Sequence, residues 1–310
     1  MAAGTIECLI MIELFKETHF DFIGKRMIFF AFSGVSVLLG LIGLIQIGRG
    51  AANLGVDFSG GTAIALRFEN PIEIAPARAA LSESGFGEAE LQEVVAEKKL
   101  FIRIRKEGQG DMDKKITSLI LKAYPKNPFV LESSTEIGPK IGQKLQKDAL
   151  IAIAISMLGI VLYIALRFEF QFGVAAALAT FHDVFFLVGI FYLLNKEISL
   201  LFVTALLTIA GYSLSDTVVL FDRIRENLKK EKRDPFTKII NDSINQTLAR
   251  TFNTGFSTLL VVLVLFFVGG EVIHDFALAM LLGILVGTYS SWFIASSLLI
   301  TLRGEQAKRA

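Results

Sequence analysis

Cysteine is almost missing from this chain. Cys8 stands alone among 310 residues, so no internal disulfide can hold the fold together. Neither sign of charge dominates. Thirty-one Lys and Arg against 30 Asp and Glu leave a net charge of +1, which argues against a nucleic-acid binder. Charged residues are only 20% of the chain and they are clumped, while 53% of residues are apolar and the mean hydropathy is +0.58, a composition foreign to soluble domains. The first 25 residues hold Glu13, Lys16, Glu17 and Asp21 and no long apolar core with a small-residue cleavage site, so no cleavable signal peptide is expected. The spacing of Ile6, Leu9, Ile10, Glu13 and Leu14 suits either a short amphipathic helix on the membrane or a disordered tail. There is no Cys/His cluster for a metal and no nucleophile–base arrangement, so the reading is not that of an enzyme. Gly60-Gly61-Thr62 lacks the Gly-x-x-x-x-Gly-Lys pattern of a phosphate loop, and nucleotide binding is rejected.

Long apolar runs are what the chain has in their place. A spanning helix needs about 20 mainly apolar residues, because the hydrocarbon core is ~30 Å thick and a helix rises ~1.5 Å per residue. Six segments qualify: 27–48, 149–166, 172–194, 198–221, 251–270 and 276–302. Segment 1–26 precedes them and 303–310 follows as a tail. In a six-helix count the basic clusters fall on one side: Lys16, Lys25 and Arg26, then Arg167, then Arg223 through Lys238, then Arg303 to Arg309. By the positive-inside rule both termini are cytoplasmic and the 49–147 segment lies outside, in a plasma (inner) membrane if the cell has two. That segment alternates like a strand over 62–68 and 100–105, with shorter strands over 91–96 and 129–134. Helices are expected over 76–84, stopped at Gly85, and over 112–123, capped by Asp111. The order β-α-β-β-α-β is the ferredoxin-like α+β pattern.

Asp216 is the residue that most demands a reason. A carboxylate within a spanning helix costs roughly 2.5–3.5 kcal/mol on insertion scales, and such residues mark function by default. Thr204, Thr208, Tyr212 and Asp216 recur every fourth residue and form a drifting polar stripe. The competing reading is a helix-end aspartate near water. Arg250, at the start of the fifth helix, lies at comparable depth and keeps its charge at any physiological pH. A pair that forms and breaks with protonation works as a proton switch; the plainer alternative for Arg250 is one more positive-inside residue. His182-Asp183, deep in the third helix, suits either a proton relay or a hydrogen-bonded packing pair. Gly283, Gly287 and Ser291 recur every fourth residue, the spacing of small residues that lets helices approach closely, and read as packing rather than chemistry.

Three segments are similar to a known family. Gly55-Val56-Asp57-Phe58-Ser59-Gly60-Gly61-Thr62 resembles the segment after the first helix in the SecD/SecF family of the RND superfamily. Gly211-Tyr212-Ser213-Leu214-Ser215-Asp216-Thr217-Val218-Val219, with Phe221-Asp222-Arg223-Ile224-Arg225-Glu226-Asn227, resembles the fourth-helix signature of the SecF side of that family. Ile244 to Thr251 resembles the start of its fifth helix. The residue before the helix-four aspartate is often Asn in the family and is Ser215 here.

The resemblance covers about residues 15–302. It implies a six-helix RND-type transmembrane half-bundle with a periplasmic ferredoxin-like domain inserted after helix 1. It further implies a SecD partner, association with the SecYEG channel and with SecA and YajC, and a translocating preprotein as cargo. The implied energy source is the proton gradient, with no bound cofactor, and the family's charged pair falls on Asp216 and Arg250. Two other functions compete: a proton-driven small-molecule exporter on the same fold, and a passive scaffold that only holds partners.

Overall fold

The computed structural model describes residues 18–104, 112–230 and 234–304. The amphipathic segment expected over 6–14, the cap at Asp111 and the tail after Gly304 lie outside the described residues. In chain order the elements are α1 (Arg26–Gly48), α2 (Val56–Ser59), β1 (Gly61–Phe68), α3 (Ile74–Glu83), β2 (Glu90–Val94), β3 (Lys99–Ile104), α4 (Met112–Ala123), β4 (Phe129–Ile137), α5 (Pro139–Arg167), α6 (Phe170–Leu193), α7 (Leu200–Lys230), α8 (Phe236–Val268), α9 (Glu271–Tyr289), a π-helical turn (Ser290–Ala295) and α10 (Ser296–Arg303). Among the described residues six helical spans are long and apolar enough to cross a membrane: α1, α5, α6, α7, α8 and the stretch Ile273–Arg303. The chain is thus a membrane helical fold with a sheet-containing domain after its first span.

Two compact units are present. One comprises Arg49–Ile155 together with Glu197–Val203, and the other Met1–Gly48, Ser156–Lys196 and Thr204–Ala310. The first holds a four-stranded sheet in the order β2-β3-β1-β4, with every neighbouring pair antiparallel. That is the split β-α-β arrangement the element order implied. Alternation explains the core. Ile64, Leu66 and Phe68 of β1 and Leu100, Ile102 and Ile104 of β3 face inward, against Ala77 and Leu81 of α3 and Met112, Ile116 and Ile120 of α4. A bulge in β4 at Glu132 shifts the register between Ala65 and Leu66. Its carboxylate reaches Lys99 at 3.0 Å. Burial opposes the Lys99 charge, but Glu97 and Glu132 outweigh it and hold the ammonium above the ordinary lysine range. Tyr124 joins the helices, donating to the Glu73 carbonyl and accepting from the Ala77 amide at 3.3 Å.

In the helical unit, small residues set the spacing. Ser33, Ser36, Gly40 and Gly43 make one buried face of α1, which packs on α6. A Cβ on Gly189 of α6 would sit 2.7 Å from the Gly40 nitrogen and 2.9 Å from the Leu39 carbonyl carbon. Apolar attraction between helices is weak in lipid, so close backbone contact has to supply the packing energy. The far end is filled by aromatics: Phe172 and Phe221 meet edge to face at 5.2 Å, with Phe168 beside both.

Several helices run past the expected apolar limits. α7 continues to Lys230, where the Lys230–Glu226 and Arg223–Glu226 pairs support its last turns. α8 begins fifteen residues before Thr251, because Phe236, Ile239, Ile240, Ile244 and Leu248 recur at helical spacing and are buried. A search for charge-free runs stops at the first charge, whereas an amphipathic helix does not. Asn241 and Asn245 of this extension bind the backbone of Phe20 and Phe22, and Asn227 bonds Ser243 at 2.9 Å and Gln246 at 2.7 Å. Gly189→Leu should lower the thermal stability of the detergent-solubilised protein by at least about 1–3 kcal/mol, the usual cost of overpacking. Gly34→Leu, whose Cβ would meet nothing within 4 Å, should leave the melting curve unchanged.

Candidate functional site

α7 organises the candidate site. Four residues advance about 400° around a helix, so a stripe at that spacing drifts by about 40° per step. Thr204 and Thr208 are accordingly exposed, Tyr212 is half-buried and Asp216 is buried at 6% exposure. Asp216 lies fourteen residues before Lys230, the last residue of α7, so it is not a helix-end residue. Its Oδ2 is buried and has no hydrogen-bond partner among the described residues. Gly255 of α8 faces Tyr212: a Cβ there would lie at ordinary contact distance, 3.6 Å, from the tyrosine oxygen.

Asp183 sits in a second polar centre. It is wholly buried on α6, and its Oδ1 lies 2.9 Å from His182 Nδ1. Its Oδ2 accepts from the Ser213 hydroxyl of α7 and, at 2.8 Å, from Ser290 of the π turn. One carboxylate therefore ties three elements together. His182 is 4% exposed, with Nε2 buried and unpartnered. Next to this clasp, Thr217 of α7 and Ser291 of the π turn share a hydrogen bond of 2.9 Å. The Gly287 carbonyl, at the start of the π turn, lies within reach of both serine hydroxyls, at 3.1 Å from Ser290 and 2.9 Å from Ser291, so the one Ser290 proton is shared between it and Asp183.

The expected residues do not all meet. Among the described residues Asp216 and Arg250 form no ion pair; Arg250 is exposed on α8, and its carbonyl accepts from Thr254 at 3.0 Å. Asp222 takes two bonds from Arg167, at 2.9 and 3.1 Å, and Arg223 bonds Gln246 and Glu226, both at 2.7 Å. Gly283 and Gly287 lie against Ile209 and Ser213 of α7, and a Cβ on Gly287 would stand 3.0 Å from that of Ser213. Asp57, Gly60, Gly61 and Thr62 belong to the sheet unit. Gly60 has φ +72° and stands against Pro139. Thr62 opens the buried face of β1. Sequence reasoning places Ser291 with Gly283 and Gly287 as a packing residue and gives it no partner, and it assigns no role to Ser213, Thr217 or Ser290. Their signal was a set of hydroxyls at helical spacing inside apolar spans, which identifies no partner until the helices are packed.

The description "Protein export membrane protein SecD/SecF, C-terminal" matches residues 117–305. The chain belongs to the SecD/SecF family. A protein translocase subunit SecF from Thermodesulfovibrio yellowstonii is 50% identical over 294 residues, covering 94% of this chain and 97% of that one. A second, from Magnetococcus marinus, is 42% identical over 296 residues, covering 93% of each. Among solved structures, SecDF from Thermus thermophilus, described as a translocon-associated membrane protein, superposes with a TM-score of 0.80 at 36% identity. It covers 92% of this chain, which spans 39% of that longer one. SecDF in a super-membrane-facing form gives a TM-score of 0.67 at 36% identity. The chain is a multi-pass membrane subunit of a protein-export translocase.

The serine clasp of this family member should be measurable as stability. Hydrogen bonds to charged groups contribute about 1.5–3 kcal/mol, so Ser213→Ala and Ser290→Ala should each lower thermal stability in detergent by that order. The double variant should lose more than the sum, because Asp183 Oδ2 then keeps neither donor.

Proposed function

We propose that this chain works with a SecD partner to draw on the proton motive force and help complete preprotein translocation through the SecYEG channel, with Asp216 as the group that takes up and releases the proton. The carrying observation is a carboxylate that is 6% exposed, far from either end of its helix, with one oxygen unanswered by any hydrogen bond. An acid with a free oxygen can take up a proton without first breaking a hydrogen bond. Arg250 supplies the means of release. It is permanently charged, unpaired with Asp216 in this conformation, and on the helix that follows, so a shift that brings it to Asp216 would favour the ionised acid and expel the proton. Tyr212 lies one turn from Asp216 on α7, and Asp183, beside His182, accepts from Ser213 of the same helix. One charge crossing 100 mV releases about 2.3 kcal/mol, so a few protons suffice for a domain movement.

Thr204 and Thr208 of α7 and Arg250, Asn253, Thr254 and Ser257 of α8 are exposed polar residues on spanning helices. Lipid is a poor neighbour for such a band, which supports a partner's helices covering it. The clustering of Lys and Arg supports an inner-membrane orientation with both termini cytoplasmic and the sheet domain periplasmic. SecA and YajC belong to the same reading as accessory partners.

Asp216→Asn should insert and accumulate normally in the reconstituted complex, and its export should fall to the level seen without a proton gradient. Wild-type gradient-dependent export in that variant would remove Asp216 from the mechanism. Arg250→Gln should show the same loss, with preprotein engagement unchanged.

A further inference from the structure

The segment around Asp57 has no part in the proton site, yet it converges with great economy on one place. The loop between α6 and α7 needs only to connect two helices, but its end and the first turn of α7, residues 197–203, belong to the sheet unit. Four kinds of contact hold them there. Ile198 forms a parallel bridge with Leu54, with Gly55 N–H donating to the Ile198 carbonyl at 3.0 Å and Ile198 N–H donating to the Asn53 carbonyl at 2.8 Å. Arg103, on the outward face of β3, forms an ion pair with Glu197, and the two side chains are only 23% and 17% exposed. Gly55 carries no Cβ, and one placed there would overlap the Glu197 carboxylate. Finally, Asp57 Oδ2 accepts from the Leu200 N–H at 2.9 Å.

The last contact is unusual in kind. The first amide groups of a helix lack intrahelical partners, and a neighbouring side chain ordinarily caps them. Ser199 does this for Phe202 at 3.3 Å, but the Leu200 amide is taken by a carboxylate 143 residues away in sequence. A negative charge at that end also opposes the positive pole of the helix. Asp57 is itself fixed from below. Gly60 and Phe58 touch the start of α5, where a Cβ on Gly142 would lie 3.0 Å from the Gly60 nitrogen and from the Phe58 carbonyl oxygen. The helix whose first residue is held in this way is α7, continuous from Leu200 to Lys230 and the carrier of Asp216.

We propose that Asp57, Arg103 and Glu197 are positioning residues for export: they form a joint that fastens the sheet domain to the first turn of α7, so that displacement of this helix is passed to the domain as movement. A loop merely tidied against a domain would not need a half-buried ion pair, a strand bridge and a long-range cap within four consecutive residues. The inference rests on the family's export role and not on Asp216 being the proton carrier.

The test uses the full chain reconstituted with its SecD partner and the channel in proteoliposomes. Arg103→Glu and Glu197→Arg, each alone, should lower the maximal export rate several-fold while the half-saturating preprotein concentration and the melting temperature stay those of the parent. The double exchange, which restores the pair with its charges reversed, should recover most of the rate. Asp57→Asn, which keeps an acceptor without the charge, should fall between the parent and Asp57→Ala. Wild-type rates in the single variants, or a double variant as poor as the singles at equal thermal stability, would overturn the joint. Because the readout is charge-swap rescue, its failure is distinct from an active Asp216→Asn, which removes the proton carrier and leaves the joint standing.

Discussion

Hydrocarbon offers no hydrogen bonds, so a polar atom placed among spanning helices must be answered from within the protein. That constraint arranges most of the helical unit. Thr180, Thr208, Thr254 and Thr258 return their hydroxyls to carbonyls of their own helices four residues back. Asp183 cannot do so, and it draws hydroxyls from α7 and from the π turn in addition to the neighbouring imidazole. The π turn serves the same need. It brings Ser290 to the carboxylate and Ser291 to Thr217, with the Gly287 carbonyl, which also takes the Ser290 N–H, within reach of both hydroxyls. Asp216 Oδ2 and His182 Nε2 are left unanswered, and atoms of that kind are where chemistry is to be sought.

The same solvent explains the packing. Helices gain little from burying leucine against leucine when lipid is equally apolar, so the α1–α6 contact is built from Ser33, Ser36, Gly40 and Gly189, and the α7–α9 contact from Ser213, Gly283 and Gly287. Where the helices leave the apolar layer the rules become those of water. Arg167–Asp222, Arg223–Glu226 and Lys230–Glu226 appear together with the amphipathic start of α8, and paired charge replaces close backbone contact. The sheet unit follows ordinary soluble-domain logic, with one alternating face of β1 and β3 covered by α3 and α4.

Much of this was legible in the residues. Six apolar runs gave six spans, because the thickness of a bilayer imposes a length that composition reveals directly. The period-two alternation of Leu100 to Ile104 and the turn at Gly85 placed the β-α-β-β-α-β order, since strand and helix periods differ by construction. Asp216 stood out for its cost in lipid. Apolar length alone does not mark where α7 and α8 end or begin, because the residues beyond the apolar run carry charge on one face only.

Helix partnership was decided elsewhere. Nothing in the run Ser213 to Thr217 says that Ser213 will turn to Asp183 while Asp216, three residues on, keeps an oxygen alone. Nothing near Asp57 says that it will cap a helix 143 residues downstream. The spans, their polar interruptions and the class of the inserted domain are local properties, governed by period, length and the cost of charge in hydrocarbon, and the amino-acid sequence determined them by itself. The clasp at Asp183, the separation of Asp216 from Arg250 and the joint at Asp57 depend on which helices lie side by side, which only the tertiary structure decided, because hydrogen bonds between distant segments exist only once packing has brought their donors and acceptors within about 3 Å.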